Sequence, residues 1–544
     1  MLNKKRSFSG LMLPLFLMIF GCANRQPPGG GPRDHDPPKL LKATPPNMTR
    51  FFKGKVIKLD FDEYFKINNP YSEITMSPTP VKLPEYLKRK KSIIITLKDT
   101  LEKNTTYVIN FGKAIADVDE GNILKNFSYV FSTGPHIDSL SISGKVINTE
   151  TGERDKNAVV LLFTLKQDSL LFGKKRPPIY TSVDTAGNFS LNNLHDDNYR
   201  IYALKQTVQN KIYDYNKDLV AFSSHTIHLK RDTQNVTLRL FKAKPDKFRM
   251  VEHHFDNDGK MFFTFNEPLD DPSIKIIYPP DYDQYKIVDI SKTRDTALLY
   301  MRNMDFDSIR MEFYDKGKPI DTLSLHKGKK ETFTRVLSFQ YNISNEGRMK
   351  PGRRLMISAN YPIDTFDPAA ITLKEDSNEV VNFNVVRDTA STKNLFIDYR
   401  WKQKANYVLT FNTDAVTDIY GDKNKSSHRP FGLDNPENYS QLTLKITVPD
   451  SGKSYIIELL NDKKQVLKSD IIHKKTTLVY KNYITGKYIV RVTYDDNNNG
   501  KWDSGNVRQR RQPENVWVDP DIIPLRANWE QEIPISIPRE PVTQ

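Results

Sequence analysis

The chain has 544 residues, one cysteine and a formal charge of +15 at pH 7. A single thiol excludes a disulfide framework, and the length excludes a single core, so roughly four or five modules held by apolar burial are expected. The positive residues are spread along the chain, with short clusters only at 88–91, 174–176 and 508–511. That distribution fits a Lys-rich solvated sheet surface better than a nucleic-acid footprint.

At the N-terminus, Lys4, Lys5 and Arg6 precede the ten-residue apolar run LMLPLFLMIF at 11–20, too short to cross a bilayer as a helix. Directly behind it stands Ile19-Phe20-Gly21-Cys22, and Cys22 is the only thiol of the chain. These four residues resemble the bacterial lipobox. The resemblance implies that residues 1–21 are a lipoprotein signal peptide and that Cys22 is the lipidation site. The bland alternative is a secretory peptide with an incidental cysteine, but a stray thiol would rarely fall at the cleavage point and nowhere else. Residue 23 is Ala rather than Asp, so a lipid-anchored position at the outer membrane is expected. The residues after Cys22 lack an acidic cluster, which favours the periplasmic face over the cell surface.

Residues 22–37 are rich in Pro and Gly and nearly devoid of apolar side chains, a semi-extended, flexible tether. Beyond them, alternating runs such as Val56-Ile57-Lys58-Leu59-Asp60-Phe61 and Tyr107-Val108-Ile109-Asn110-Phe111 are punctuated by turn residues every ten or so positions. This predicts an all-β chain of tandem β-sandwich modules.

Internal repeats divide it further. The strand 104–111 leads to Ala116-Asp117 and Gly121-Asn122; the strand 404–411 leads to Thr417-Asp418 and Gly421-Asp422. Leu59-Asp60-Phe61-Asp62-Glu63 is echoed by Phe263-Thr264-Phe265-Asn266-Glu267. With Asp36-Pro37-Pro38, Pro45-Pro46-Asn47 and the closing Phe131-Ser132-Thr133-Gly134, residues 38–135 resemble a bacterial Ig-like domain of the SbsA type. With the lipobox in front, the chain is similar to Ig-like domain lipoproteins of Bacteroidota. The same resemblance, weaker, implies Ig-like domains at 337–436 and, divergent, at 244–336.

A second kind of module interleaves with the first. Ser143-Gly144-Lys145-Val146, the turn Asp184-Thr185-Ala186-Gly187-Asn188-Phe189 and Tyr199-Arg200-Ile201-Tyr202-Ala203 resemble the carboxypeptidase-regulatory-like (transthyretin-like) sandwich, here at 138–243. A C-terminal copy at 437–544 carries Gly486-Lys487-Tyr488, but its counterpart of the Asp184 turn is not recognisable.

After that strand comes a D-x-N-x-N-G pattern. Asp495, Asn497 and Asn499 occupy ligand positions 1, 3 and 5 of a calcium loop, Lys501 offers its carbonyl at 7, and Asp503 stands at 9. Position 12 is Asn506 rather than glutamate and the flanks are strands, so this is not an EF-hand, and any Ca²⁺ binding is expected to be weak, ~10⁻⁴–10⁻³ M. An Asx-rich turn without metal explains the same residues. Aligning Tyr199 with Tyr488 sets Gln206, Val208, Asn210, Lys211 and Asp214 opposite Asp495, Asn497, Asn499, Gly500 and Asp503, so the first copy keeps the hairpin without the ligands.

Glu252-His253-His254 with Asp256 and Asp258 reads as a solvated polar segment, because adjacent histidines on a strand point to opposite faces. No zinc-type H-x-x-E, G-x-S-x-G elbow, phosphate loop or cysteine nucleophile is present, and no catalytic residues are assigned. The expected function is a non-enzymatic envelope scaffold or accessory subunit binding other outer-membrane proteins, for example a β-barrel complex. The alternative is a glycan-binding surface lipoprotein, and third a polysaccharide-active enzyme.

Overall fold

The alternating runs form strands throughout: in the computed structural model, which describes residues 34–539 apart from 126, 174–175, 209, 246 and 329–332, 49% of the chain is strand and 5% helix. The expected signal peptide, Cys22 and most of the tether lie outside the described residues. No described helix is long and apolar enough to cross a membrane. The chain divides into two compact units, one ending at Asp138 and the other beginning at Ser139.

The first unit is one sandwich. Strands Leu40–Thr44, Val56–Phe61, Ser92–Thr96 and Glu85–Arg89 pair in that order, and Thr75–Ser77, Thr106–Asn110 and Ser128–Ser132 form a second sheet. Side chains alternate across a pleat, so Ile57, Leu59 and Phe61 enter the core while Val56 and Lys58 stay outside. Tyr107, Ile109, Tyr129 and Phe131 meet them from the other sheet.

The same first-sheet order, with two outer strands flanking the second and last, recurs in the second unit at Met250–Phe255, Met261–Phe265, Thr296–Met301 and Lys286–Ile290. It recurs again at Phe339–Tyr341, Leu355–Ala359, Asn394–Asp398 and Asn384–Arg387. The small pair Phe65–Ile67 with Ile115–Asp117 likewise has its counterpart in Ile363–Phe366 with Val416–Asp418. We call the sandwiches the first to fifth modules in chain order. The third module keeps its own core but lends a face to the fourth: Tyr300, 1% exposed, joins the fourth module's cluster with half-buried Ile287 and Leu298.

The second and fifth modules have a different topology, common to both. In the second, Leu140–Asn148 lies between antiparallel Asn188–Leu194 and parallel Thr233–Leu240. In the fifth, Tyr439–Thr447 lies between antiparallel Thr476–Ile484 and parallel Glu530–Ser536. The turn at 473–475 therefore stands where Asp184-Thr185-Ala186-Gly187 stands in the second module. Asp184 gathers the N–H groups of Ala186 and Asn188 (2.8 Å each); His473-Lys474-Lys475 replaces it, which is why sequence comparison does not find the turn.

Candidate functional site

The calcium-type loop hangs from the central strand of the fifth module's second sheet. Gly486–Asp495 pairs with Ser454–Asn461 on one side and with Val516–Val518 and Ile523–Leu525 on the other. Asp495, at the end of this strand, is 2% exposed and turned into the loop backbone. Its carboxylate accepts from the Asn499 N–H (3.0 Å), the Gly500 N–H (3.0 Å) and Ser454 Oγ (2.8 Å). Asn497 and Asn499 both donate their side-chain amides to Asp503 Oδ2, the latter at 2.6 Å. Asn497, Asn499 and Asp503 thus converge, while the Lys501 ammonium leaves the loop for Asp270 of the third module (2.8 Å). Asn506 instead closes a turn, exchanging backbone bonds with Arg511. Among the described residues, no three His, Cys, Asp or Glu side chains are placed to hold a metal.

The loop depends on a residue that sequence reasoning missed. Glu514, 8% exposed, accepts the Asp496 N–H at 3.0 Å and the Asp503 N–H at 2.9 Å. Burial, with Asp503 and Asp495 nearby, pushes its carboxyl up to about 7. The second module has the same staple: Asp218, 2% exposed, accepts from the Thr207 N–H (3.2 Å) and the Asp214 N–H (2.9 Å). Thr207 and Asp214 follow Tyr199 by the same intervals (8 and 15) as Asp496 and Asp503 follow Tyr488. Left-handed Lys211 (φ 64°) likewise matches Gly500 (φ 72°). The staple escapes alignment because Glu514 lies 11 positions after Asp503 whereas Asp218 lies only 4 after Asp214, a difference of 7.

Those extra residues clasp the second module. Ser504 Oγ donates to the Lys242 carbonyl, and the Lys244 N–H bonds to the Gly505 carbonyl at 3.4 Å. Val507 enters an apolar cluster with Phe163, Tyr202, Phe222 and Phe241 on the outer face of the second module's larger sheet. Arg510 donates to Tyr202 OH (3.1 Å) and to the Ser223 carbonyl (2.7 Å), and Gln512 to the Phe222 carbonyl (2.8 Å). The string of sandwiches expected over the second unit therefore closes on itself within the described residues 139–539.

The histidine pair forms no site. His254 Nε2 lies 2.8 Å from Asp256, and Lys260 bridges Asp256 (2.8 Å) and Asp258 (2.7 Å).

The repeated Ig-like turns differ in a way only geometry shows. Asp117 takes three backbone N–H donors, from Glu120, Gly121 and Asn122. Burial opposes its ionisation, yet these donors hold the carboxyl below its ordinary range. The fourth module's turn is one residue shorter. Asp418, 1% exposed, receives only the Tyr420 and Asp422 N–H groups, both on Oδ1, and its Oδ2 is buried with no partner. Burial raises it from 3.8 to about 6. A carboxyl that binds its proton more tightly when folded contributes stability below its unfolded value, and that contribution is lost as pH rises through the folded value. The contribution of Asp418 to stability is therefore expected to fall between about pH 4 and pH 6, by roughly 3 kcal/mol. Asp418→Asn should flatten that slope and match the wild type in acid; equal slopes in pH-dependent melts would refute this.

Comparison with solved structures finds β-sandwich surface proteins at low similarity. The Bacillus cereus major pilin subunit BcpA is 11% identical, covering 73% of this chain and 99% of its own, with TM-score 0.14. The S-layer protein SbsC (31–844) is 9% identical, covering 84% and 64%, with TM-score 0.13. The Bacteroides ovatus mixed-linkage glucan utilisation locus protein SGBP-B is 11% identical, covering 63% and 85%, with TM-score 0.18. No curated protein matches. One stretch does match a family model: residues 34–133, the first module, match the bacterial Ig-like domain.

Proposed function

We propose that this chain is a non-enzymatic, lipid-anchored scaffold of the bacterial cell envelope, held through Cys22 at the outer membrane and binding other envelope proteins. The observation that carries this is the clasp. A second unit that commits Val507, Arg510 and Gln512 to tying the fifth module to the second presents linked sandwiches rather than a flexible string. The Ig-like match of the first module supports the same reading. The test is mild-detergent purification of the tagged, lipidated protein from its own membranes, with mass spectrometry of what co-purifies. Stoichiometric recovery of a β-barrel or other envelope protein supports the scaffold; recovery of the chain alone refutes a stable complex. Cys22→Ala should release the protein from the membrane fraction.

The loop is proposed as a weak Ca²⁺ site. Flipping the Asn497 and Asn499 amides, whose nitrogens both meet Asp503 Oδ2, would set two amide oxygens beside that carboxylate, at the loss of the bonds those oxygens accept from the Asn499 and Lys501 N–H groups. One converging carboxylate fits a hard cation only loosely. About 10 mM Ca²⁺ should stabilise the protein by ~1.4–2.7 kcal/mol, and Asp503→Asn should abolish the gain. A thermal melt unmoved by Ca²⁺ sinks the proposal and leaves an Asx turn.

A further inference from the structure

The open flank of the first module carries a cationic hairpin beside exposed tyrosines. Lys88, Arg89, Lys90 and Lys91 are consecutive and exposed at the tip of the edge strand Glu85–Arg89. None of the four pairs with a carboxylate among the described residues, whereas Lys39, Lys58 and Lys98 of the same unit all do. Lys91 donates to the Asp62 backbone carbonyl (2.6 Å), which leaves its charge uncompensated. Two of the four lie against rings: Lys88 Nζ is 5.6 Å from the Phe65 centroid and Lys91 Nζ is 5.5 Å from that of Tyr64. Further along the strand, Tyr71 meets Tyr86 edge-on at 5.9 Å. Tyr64 and Tyr71 are 57% and 56% exposed, costly for rings that serve only the core.

We propose that this flank binds an anionic polysaccharide. Exposed tyrosine rings offer flat faces to the C–H faces of sugars, and the ammonium groups beside them meet carboxylate or phosphate substituents. The cations are consecutive, two on the edge strand and two in the turn that follows it, on an exposed hairpin rather than around a pocket, which suits a polyanion lying across the surface over a small anion held in a cavity. A lipid surface fits less well, because Leu87, the exposed aliphatic residue of this strand, alternates to the other face from Tyr86 and Lys88. The inference goes beyond the scaffold reading and is tested without a protein partner.

The experiment is affinity gel electrophoresis of the full mature chain against polygalacturonic acid, neutral dextran and anionic phosphatidylglycerol vesicles. Retardation by polygalacturonic acid but not dextran is expected. Lys88→Glu/Lys91→Glu and, independently, Tyr64→Ala/Tyr71→Ala should each weaken it roughly tenfold, the scale of one lost charge-assisted or stacking contact. Lys474→Glu/Lys475→Glu, an equal charge change in the fifth module, should leave it intact. All the substituted side chains are exposed, and circular dichroism verifies folding. Equal loss in the fifth-module control, unchanged binding in both flank variants, retention by dextran, or binding to vesicles alone would each overturn the proposal.

Discussion

Gly144→Ala is expected to unfold the second module. Gly144 sits on the central strand Leu140–Asn148, paired with Phe189 on one side and Val236 on the other, where the parallel ladder shifts register. A Cβ there would lie 1.9 Å from the Val236 carbonyl oxygen and 2.7 Å from its carbon. Both are backbone atoms of a paired strand, so neither can rotate away as a side-chain tip would. Relief requires separating the ladder between Ile142 and Val146, both fully buried in the module's core. The cost is expected to exceed ~3 kcal/mol, in the range reserved for core disruption. Gly421→Ala is the control: nothing lies within 4 Å, so only its left-handed backbone (φ +87°) opposes the change, about 1 kcal/mol. Chemical denaturation followed by circular dichroism distinguishes them, and comparable losses would refute the steric account. The first module, a separate compact unit, should stay folded in both.

Val507→Asp should open the second unit without unfolding its sandwiches. Val507 is 5% exposed among Phe163, Tyr202, Phe222 and Phe241, and the nearby Arg510 is committed to Tyr202 and Ser223. An aspartate there is a buried, poorly solvated charge, costing several kcal/mol. The internal cores of the second and fifth modules contain neither Val507 nor its neighbours in the clasp, so each sandwich should survive. The expected result is a larger radius of gyration by X-ray scattering, with new proteolytic cuts at 496–515. Unchanged scattering and protection would mean that the polar contacts alone hold the modules together.

The clasp at Val507 marks where the sequence stops being informative. Val56-Ile57-Lys58-Leu59 is legible because the side-chain period of a strand is fixed by its backbone, so alternation reports both element and face. The Asp495–Asp503 spacing is legible because a turning loop brings its own alternate residues together. Val507 is different: within 504–515 nothing is periodic, and the aromatic residues it meets lie more than 260 positions earlier. The staple Glu514 was hidden because the 7 extra residues break its spacing relative to Asp218. Asp418 was found, but its unpartnered oxygen arises from a turn one residue shorter than that of Asp117, which leaves one fewer N–H within reach.

Alternation and local spacing carry the all-β class, the repeated strand-and-turn motifs and the Asx loop, since each follows from a single strand or turn. It took the fold to bring the fifth module back to the second, to close the loop with Glu514 rather than Asn506, and to leave Lys88 to Lys91 without carboxylate partners among the described residues. Those features depend on which distant surfaces meet, and burial and charge pairing between distant segments leave no period in the chain.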